Sequence, residues 1–244
     1  MPASDLTGRT LVVSAFEPEI APLRRLIRGM SGVRLVPVGI GAVDAAAGAA
    51  RAILQHRPRR VLFVGTAGVY PGGRGGDGLA DDALSIGAAA VAGEIVCVST
   101  AALRGDGYLP EPQVVRAASS PRLAALLSSS AGPWPTVACP LAITRSAALA
   151  RRIATATGAS LENLEAFAVA RAAAAAGVDF AAVLGIANRV GPVAHAEWRA
   201  HHRRASRAAC TLVARWLRDA PTLRLRPPAG SHARTRTPRI QKLP

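Results

Sequence analysis

The amino-acid sequence predicts an α/β domain in which helices cover a mostly parallel sheet. Short apolar, β-branched segments alternate along the chain with segments whose apolar residues recur at helical spacing. The composition, 50% hydrophobic and 18% charged over 244 residues, suffices to bury a sizeable core and excludes global disorder. With only 4% aromatic residues, that core is expected to consist of Ala, Val, Leu and Ile.

Residues 10–15 (TLVVSA) read as a buried strand. A helix follows, with Ile20, Leu23, Leu26 and Ile27 at helical spacing; Pro18 suits its first turn, and Glu17 and Glu19 suit its positive end. Residues 33–38 form a second strand, and Gly39-Ile40-Gly41 turns into an Ala-rich helix reaching His56. Residues 60–64 form a third strand, closed by the small residues Gly65-Thr66-Ala67-Gly68. The Gly- and Asp-rich stretch 70–82 is expected as a loop. Residues 86–99 are strand-like, with Gly93-Glu94 marking a bulge or turn, and residues 103–121 predict a long irregular loop.

A helix over 123–130, a strand over 136–143 and a helix over 147–156 come next. Residues 162–176 predict a strong helix, because Leu164, Phe167, Ala168 and Arg171 carry its period. A strand over 180–186 leads to a long helix over 196–218, in which Trp198, Ala205, Ala209, Leu212 and Trp216 form one stripe. Beyond Pro221 the periodicity ends. The expected organisation is one domain over 1–220 and a mobile basic tail over 221–244.

The formal charge is +15, from 30 basic and 15 acidic residues. Lys242 is the only lysine, so arginine in an Ala-rich chain looks like compositional bias rather than a built patch. The charge supports non-specific attraction to polyanions, and specific nucleic-acid binding is not expected. Cys97, Cys139 and Cys210 lie far apart, and no metal-ligand or disulfide spacing is present. His201 and His202, being adjacent, point in different directions on a helix. No metal site is readable from these residues. The N-terminal residues do not form a signal peptide, and Arg171 and Asp179 interrupt the longest apolar region. The expectation is a soluble, cytoplasmic protein with no membrane partner.

The candidate functional segments lie at the carboxyl ends of predicted strands, where such sheets bind ligands. Gly39-Ile40-Gly41 is half of a dinucleotide fingerprint, but Asp44 occupies the place of the third glycine, so a tight turn accounts for it better. Gly65-Thr66-Ala67-Gly68-Val69-Tyr70-Pro71 would let a flat ligand approach the backbone, and reads equally as an ordinary turn. Glu19 and Asn163-Leu164-Glu165 each open a helix, where an acid also suits the helix dipole. Ala187-Asn188-Arg189-Val190-Gly191-Pro192 has good turn residues.

The order of these segments is more informative than any one of them. Phe16-Glu17-Pro18-Glu19, Gly39-Ile40-Gly41, Gly65-Thr66-Ala67-Gly68, Glu162-Asn163-Leu164-Glu165-Ala166 and Ile186-Ala187-Asn188, in sequence, resemble the nucleoside phosphorylase/nucleosidase superfamily over residues 10–218. Tyr70-Pro71, the Glu-Asn-Leu-Glu helix start, and Asn188-Arg189-Val190-Gly191-Pro192 with Trp198 beyond are most similar to the futalosine hydrolases.

This resemblance implies a three-layer α/β/α fold around a twisted sheet, and no metal or organic cofactor. It also implies hydrolysis of the N-ribosidic bond of futalosine, releasing hypoxanthine on a route to menaquinone. Glu19 stands where relatives carry a water-activating glutamate, and Glu165 matches the carboxylate that accepts from ribose hydroxyls. Leu164 replaces the usual methionine, while Phe16 and Ile143 would pack near sugar and base. Thr144 would offer its backbone to the base edge, and Thr66, Ala67 and Gly68 would form the pocket floor. Adenine-specific relatives carry aspartate where this chain has Asn188. An amide can accept from a protonated N7 and donate to a 6-oxo group, which favours hypoxanthine. Leu184 and Ala187 stand where relatives commonly carry an arginine and a serine. The benzoate-bearing arm of futalosine would meet residues 103–113 or an arginine. A homodimer with a small-molecule nucleoside substrate is the expected assembly. A purine nucleoside phosphorylase, a methylthioadenosine-type nucleosidase and a non-catalytic nucleoside-binding relative remain open as alternatives.

Overall fold

The computed structural model of the chain describes residues 10–72, 84–128 and 134–219. In chain order these contain β1 (Thr10–Ser14), α1 (Glu17–Leu26), β2 (Val33–Pro37), α2 (Ala42–His56), β3 (Arg60–Val69), β4 (Ala89–Val91), β5 (Glu94–Val98) and α3 (Thr100–Arg104). They continue with β6 (Arg116–Ala118), α4 (Pro121–Ser128), β7 (Val137–Pro140), α5 (Ala147–Thr157), β8 (Leu161–Glu162), α6 (Ala166–Ala175), β9 (Asp179–Arg189) and α7 (Ala194–Asp219). The stretch 221–244 and most of 70–82, expected as a tail and a loop, lie outside the described residues.

The strands form one sheet in the order β2-β1-β3-β8-β7-β5-β6, with β9 also paired to β3, and β4 to β9. The ladders β1–β2, β1–β3, β3–β9, β5–β7 and β7–β8 are parallel, whereas β3–β8, β4–β9 and β5–β6 are antiparallel. The sheet curls at β3. Its first four residues pair with β1, and its last two meet β8.

Strand alternation builds the three layers. Leu11, Val13, Val61, Phe63, Ala182 and Leu184 face one side and pack with Ala45, Ala49 and Ile53 of α2 and Val169 and Ala173 of α6. Val12, Leu62, Val64, Ala181 and Val183 face the other side and pack with Ile20 and Leu23 of α1, Leu123 of α4, and Val213 and Leu217 of α7. Ile20 and Leu23 are fully buried, and each such side chain contributes about 1.5–3 kcal/mol relative to exposure. A smaller cluster around Tyr70, Ala138, Ala150 and Ile153 closes the side that carries α5. This is the α/β/α arrangement implied by the resemblance, with its core built of aliphatic residues.

Several element boundaries differ from expectation. Gly65-Thr66-Ala67-Gly68 does not close the third strand; β3 runs through it to Val69, because β9 pairs with it along its whole length. Pairing with β9 through all four residues, joined by β8 at Gly68, overrides the turn propensity of glycine. The expected strand over 86–99 divides into β4 and β5 at Gly93, where a Cβ would stand 2.9 Å from the Trp134 carbonyl oxygen. The irregular stretch 103–121 holds the end of α3 and all of β6; the Ser99 hydroxyl caps α3 by accepting from the Ala102 N–H at 3.2 Å. The helix expected over 162–176 starts only at Ala166, since residues 161–162 pair in β8. Asn188 lies inside β9 rather than in a turn after it.

Glycine permits the closest approach of β9 to α7. A Cβ at Gly185 would stand 2.1 Å from the backbone oxygen of Ala205. Gly185→Ala is expected to destabilise the fold by about 1–3 kcal/mol. The effect would appear as a lower urea midpoint with an unchanged slope.

Candidate active site

The carboxyl ends of β1, β3 and β9 open into a cavity of about 330 Å³. Ligand sites in open α/β sheets lie at such strand ends. Of the site residues expected from the sequence, Phe16, Glu19, Thr66, Ala67, Gly68, Ile143, Leu164, Glu165 and Asn188 all line this cavity. Thr144 does not. It is buried, and its N–H donates to Glu162 Oε1 at 3.0 Å. The N–H expected to meet a base edge therefore already has an acceptor inside the protein.

Glu19 sits in the first turn of α1 and is 4% exposed. Its Oε1 accepts from the Thr66 N–H at 3.0 Å and from the Thr66 hydroxyl at 2.8 Å. The Thr66 hydroxyl in turn accepts from the Trp198 indole N–H at 3.1 Å. Oε2 is buried without a hydrogen-bond partner. Burial pushes the Glu19 carboxyl up to about 8 from its ordinary 4.5; the Thr66 donors oppose the rise and the Glu165 carboxylate adds to it. The Cys210 thiol donates to the Glu19 carbonyl at 3.2 Å and ties this turn to α7.

Glu17, two residues earlier, plays no part in the cavity. It is exposed and holds Arg24 through two hydrogen bonds of 3.1 Å, so both charges lie on the surface.

Glu165 is held at the start of α6. Its Oε1 accepts from the Gly41 N–H at 2.9 Å, and its Oε2 accepts from Asn163 Nδ2 at 3.3 Å. Gly41 stands at φ 83, a backbone region glycine enters without steric strain, and this turn directs its N–H at the carboxylate. Burial raises the Glu165 carboxyl, while the Gly41 and Asn163 donors lower it. Gly39-Ile40-Gly41 thus supplies a donor to a side chain of the site.

Asn188 lies on β9 and is 9% exposed, and its Nδ2 donates to the Arg189 carbonyl at 2.9 Å. Among the described residues its second N–H and its Oδ1 have no hydrogen-bond partner. Gly68, beside it on β3, gives the cavity a flat floor: a Cβ there would stand 2.7 Å from Asn188 Nδ2. Arg189 is turned away to Glu197, with which it forms an ion pair and a backbone bond of 2.7 Å. That pairing holds Glu197 below the usual carboxylate range. Leu184 and Ala187 are buried in β9 and do not line the cavity.

Sequence reasoning missed several participants. In the sequence Asn163 reads only as part of a helix start, Gly41 only as a turn, and Glu162 only as one residue of a motif. Ile40 and His195 at the cavity wall carried no signal. Trp198 reads as part of a helix stripe, whereas its bond to Thr66 joins two segments 132 residues apart. Among the described residues no group of three or more His, Cys, Asp or Glu side chains could hold a metal ion. No helix among them is long and apolar enough to cross a membrane.

A model of the phosphorylase superfamily matches residues 13–218. The chain belongs to this superfamily. Among solved structures it is similar to the native futalosine hydrolase of Helicobacter pylori at 20% identity, covering 89% of this chain and 100% of that one, with a TM-score of 0.73. The 5'-methylthioadenosine/S-adenosylhomocysteine nucleosidase of Helicobacter pylori with butyl-thio-DADMe-Immucillin-A matches at 19% identity, covering 88% and 100%, with a TM-score of 0.73. The S-adenosylhomocysteine nucleosidase of Streptococcus pyogenes with 5-methylthiotubericidin matches at 19%, covering 89% and 100%, also with a TM-score of 0.73. At these identities the likeness is one of fold. No curated protein matches the sequence.

The raised Glu19 carboxyl couples stability to pH. Between about 4.5 and 8 the folded chain holds this proton and the unfolded chain has lost it, so this group's contribution falls as pH rises. The slope is at most about 1.4 kcal/mol per pH unit. Glu19→Gln lacks it, and is expected to gain stability relative to the parent in urea unfolding from pH 5 to pH 8.

Proposed function

We propose that this member of the phosphorylase superfamily hydrolyses the N-ribosidic bond of a purine nucleoside, with futalosine as substrate and hypoxanthine as the released base. The observation that carries this reading is the pairing of Glu19 and Glu165 in one cavity, where no arginine or lysine stands among the described lining residues. Hydrolysis needs a proton acceptor for water and acceptors for sugar hydroxyls. Phosphorolysis needs an anion pocket instead, and three carboxylates line this one, those of Glu19, Glu162 and Glu165.

The roles follow from the environments. Glu19, once deprotonated, takes a proton from water as the water oxygen attacks the anomeric carbon. The bond from that carbon to the base nitrogen breaks, and its electron pair leaves with the purine. The carboxylate also supports positive charge developing on the sugar. Glu165 accepts from the ribose hydroxyls while Gly41 and Asn163 hold it in place. A proton from solvent water reaches N7 as the electron pair arrives there, and Glu19 returns its own proton to solvent afterwards; Asn188 Oδ1 accepts from that N7–H, and the second Asn188 N–H donates to O6. Phe16, Leu164 and Ile143 give apolar walls, and Ala67 and Gly68 a floor on which the flat base lies. Arg189 is paired with Glu197 and does not line the cavity.

The test is incubation with futalosine, inosine and methylthioadenosine, with and without inorganic phosphate, followed by chromatography of the free base. Hypoxanthine release from futalosine without phosphate is expected, and its absence from well-folded protein overturns the reading. Strict phosphate dependence would identify a phosphorylase instead. Glu19→Gln is expected to lower kcat by about 10²–10⁴ with an unchanged circular dichroism spectrum. For the parent, kcat/KM should rise with pH toward a plateau above about 8, as Glu19 loses its proton.

A further inference from the structure

One buried carboxylate in the cavity has no part in the reaction as described. Glu162 ends β8, is 7% exposed and lines the cavity. Its Oε2 accepts from the Tyr70 hydroxyl at 2.6 Å, and its Oε1 from the Thr144 N–H at 3.0 Å. Burial and the neighbouring Glu162 hold the Tyr70 phenol well above its ordinary range, so Tyr70 acts as a donor. Each carboxylate oxygen has two lone-pair sites, so one site on each remains for a ligand.

The sheet register says what such a ligand would be. Gly68 of β3 is paired directly with Glu162 on one side and directly with Asn188 on the other. Neighbouring strands lie about 4.8 Å apart, which sets the two backbones about 10 Å apart across Gly68. Residues directly opposite in a ladder present their side chains to the same face. Between them Gly68 carries no side chain. A flat heterocycle lying over Gly68 would therefore meet an amide at one end of its edge and an acceptor-only carboxylate at the other.

Building on the reading of the chain as a purine nucleosidase, we infer that Glu162 accepts the N1–H of the base and restricts the site to 6-oxopurines. A 6-oxopurine presents N7, O6 and N1–H in succession along one edge. Asn188 complements the first two and Glu162 the third. A 6-aminopurine carries a bare lone pair at N1. Against Glu162 that lone pair faces another acceptor, and both are left unpaired in a buried site. Glu162 thus occupies the role expected for the Thr144 backbone, whose N–H it takes.

The test measures binding of hypoxanthine, 1-methylhypoxanthine and adenine to the full chain by calorimetry, alongside riboside hydrolysis. The parent is expected to bind hypoxanthine at least about 100-fold tighter than either other base. Glu162→Gln, whose amide can donate to a bare N1, is expected to shrink the preference over adenine at least tenfold. Equal binding of hypoxanthine and 1-methylhypoxanthine by the parent overturns the assignment, as does a full preference retained by Glu162→Gln. If that variant does not fold, the parent's comparison of the three bases decides alone. Hydrolysis without dependence on N1 removes the role of Glu162 and leaves the nucleosidase. Base binding with the N1 preference but no hydrolysis does the reverse, and binding of no purine overturns both.

Discussion

The Asn163 side chain uses all four of its hydrogen-bonding positions, and the site is organised around it. Its Oδ1 accepts from the Glu165 N–H at 3.0 Å and from the Ala166 N–H at 2.8 Å, which starts α6 at Ala166. Its Nδ2 donates to the Thr66 carbonyl at 3.0 Å and to Glu165 Oε2 at 3.3 Å. One amide therefore caps a helix, joins it to the central strand and orients the carboxylate beside it. Thr66, anchored by its carbonyl, presents its N–H and hydroxyl to Glu19. A saturated buried amide is rigid, because any rotation leaves donors and acceptors unpaired.

Three carboxylates share one small cavity, and their environments make them different. Glu162 has a donor on each oxygen, from Tyr70 and Thr144. Glu165 also has one on each, from Gly41 and Asn163. Glu19 has both of its donors on one oxygen and none on the other. Burial raises the proton affinity of Glu19, the Glu165 carboxylate adds to the rise, and the two Thr66 donors only partly oppose it. Groups whose environments push their proton affinities apart are suited to different tasks, holding in one case and moving a proton in the other.

Much of the fold was legible from local pattern. The runs 10–15 and 33–38, the Ala-rich helix to His56 and the long helix beyond Pro192 appear close to where periodicity put them. The failures share a cause. Gly65-Thr66-Ala67-Gly68 reads as a turn because nothing local shows that β9 and β8 lie alongside it. Glu162 reads as the start of a helix because its pairing with β7 and β3 is likewise non-local. The short α3 and β6 lie below the length at which a period can be recognised.

The amino-acid order alone settled the alternation of strands and helices, the aliphatic core, and which acids and amides stand at strand ends. Those properties depend on neighbours within a few residues, through the periods of the strand and the helix. Which oxygen of each carboxylate has a donor, which N–H Thr144 gives up, and the alignment of Glu162 and Asn188 across Gly68 came only with the folded chain. The bonds concerned join residues 47, 97 and 124 apart, and no local period carries information over such separations.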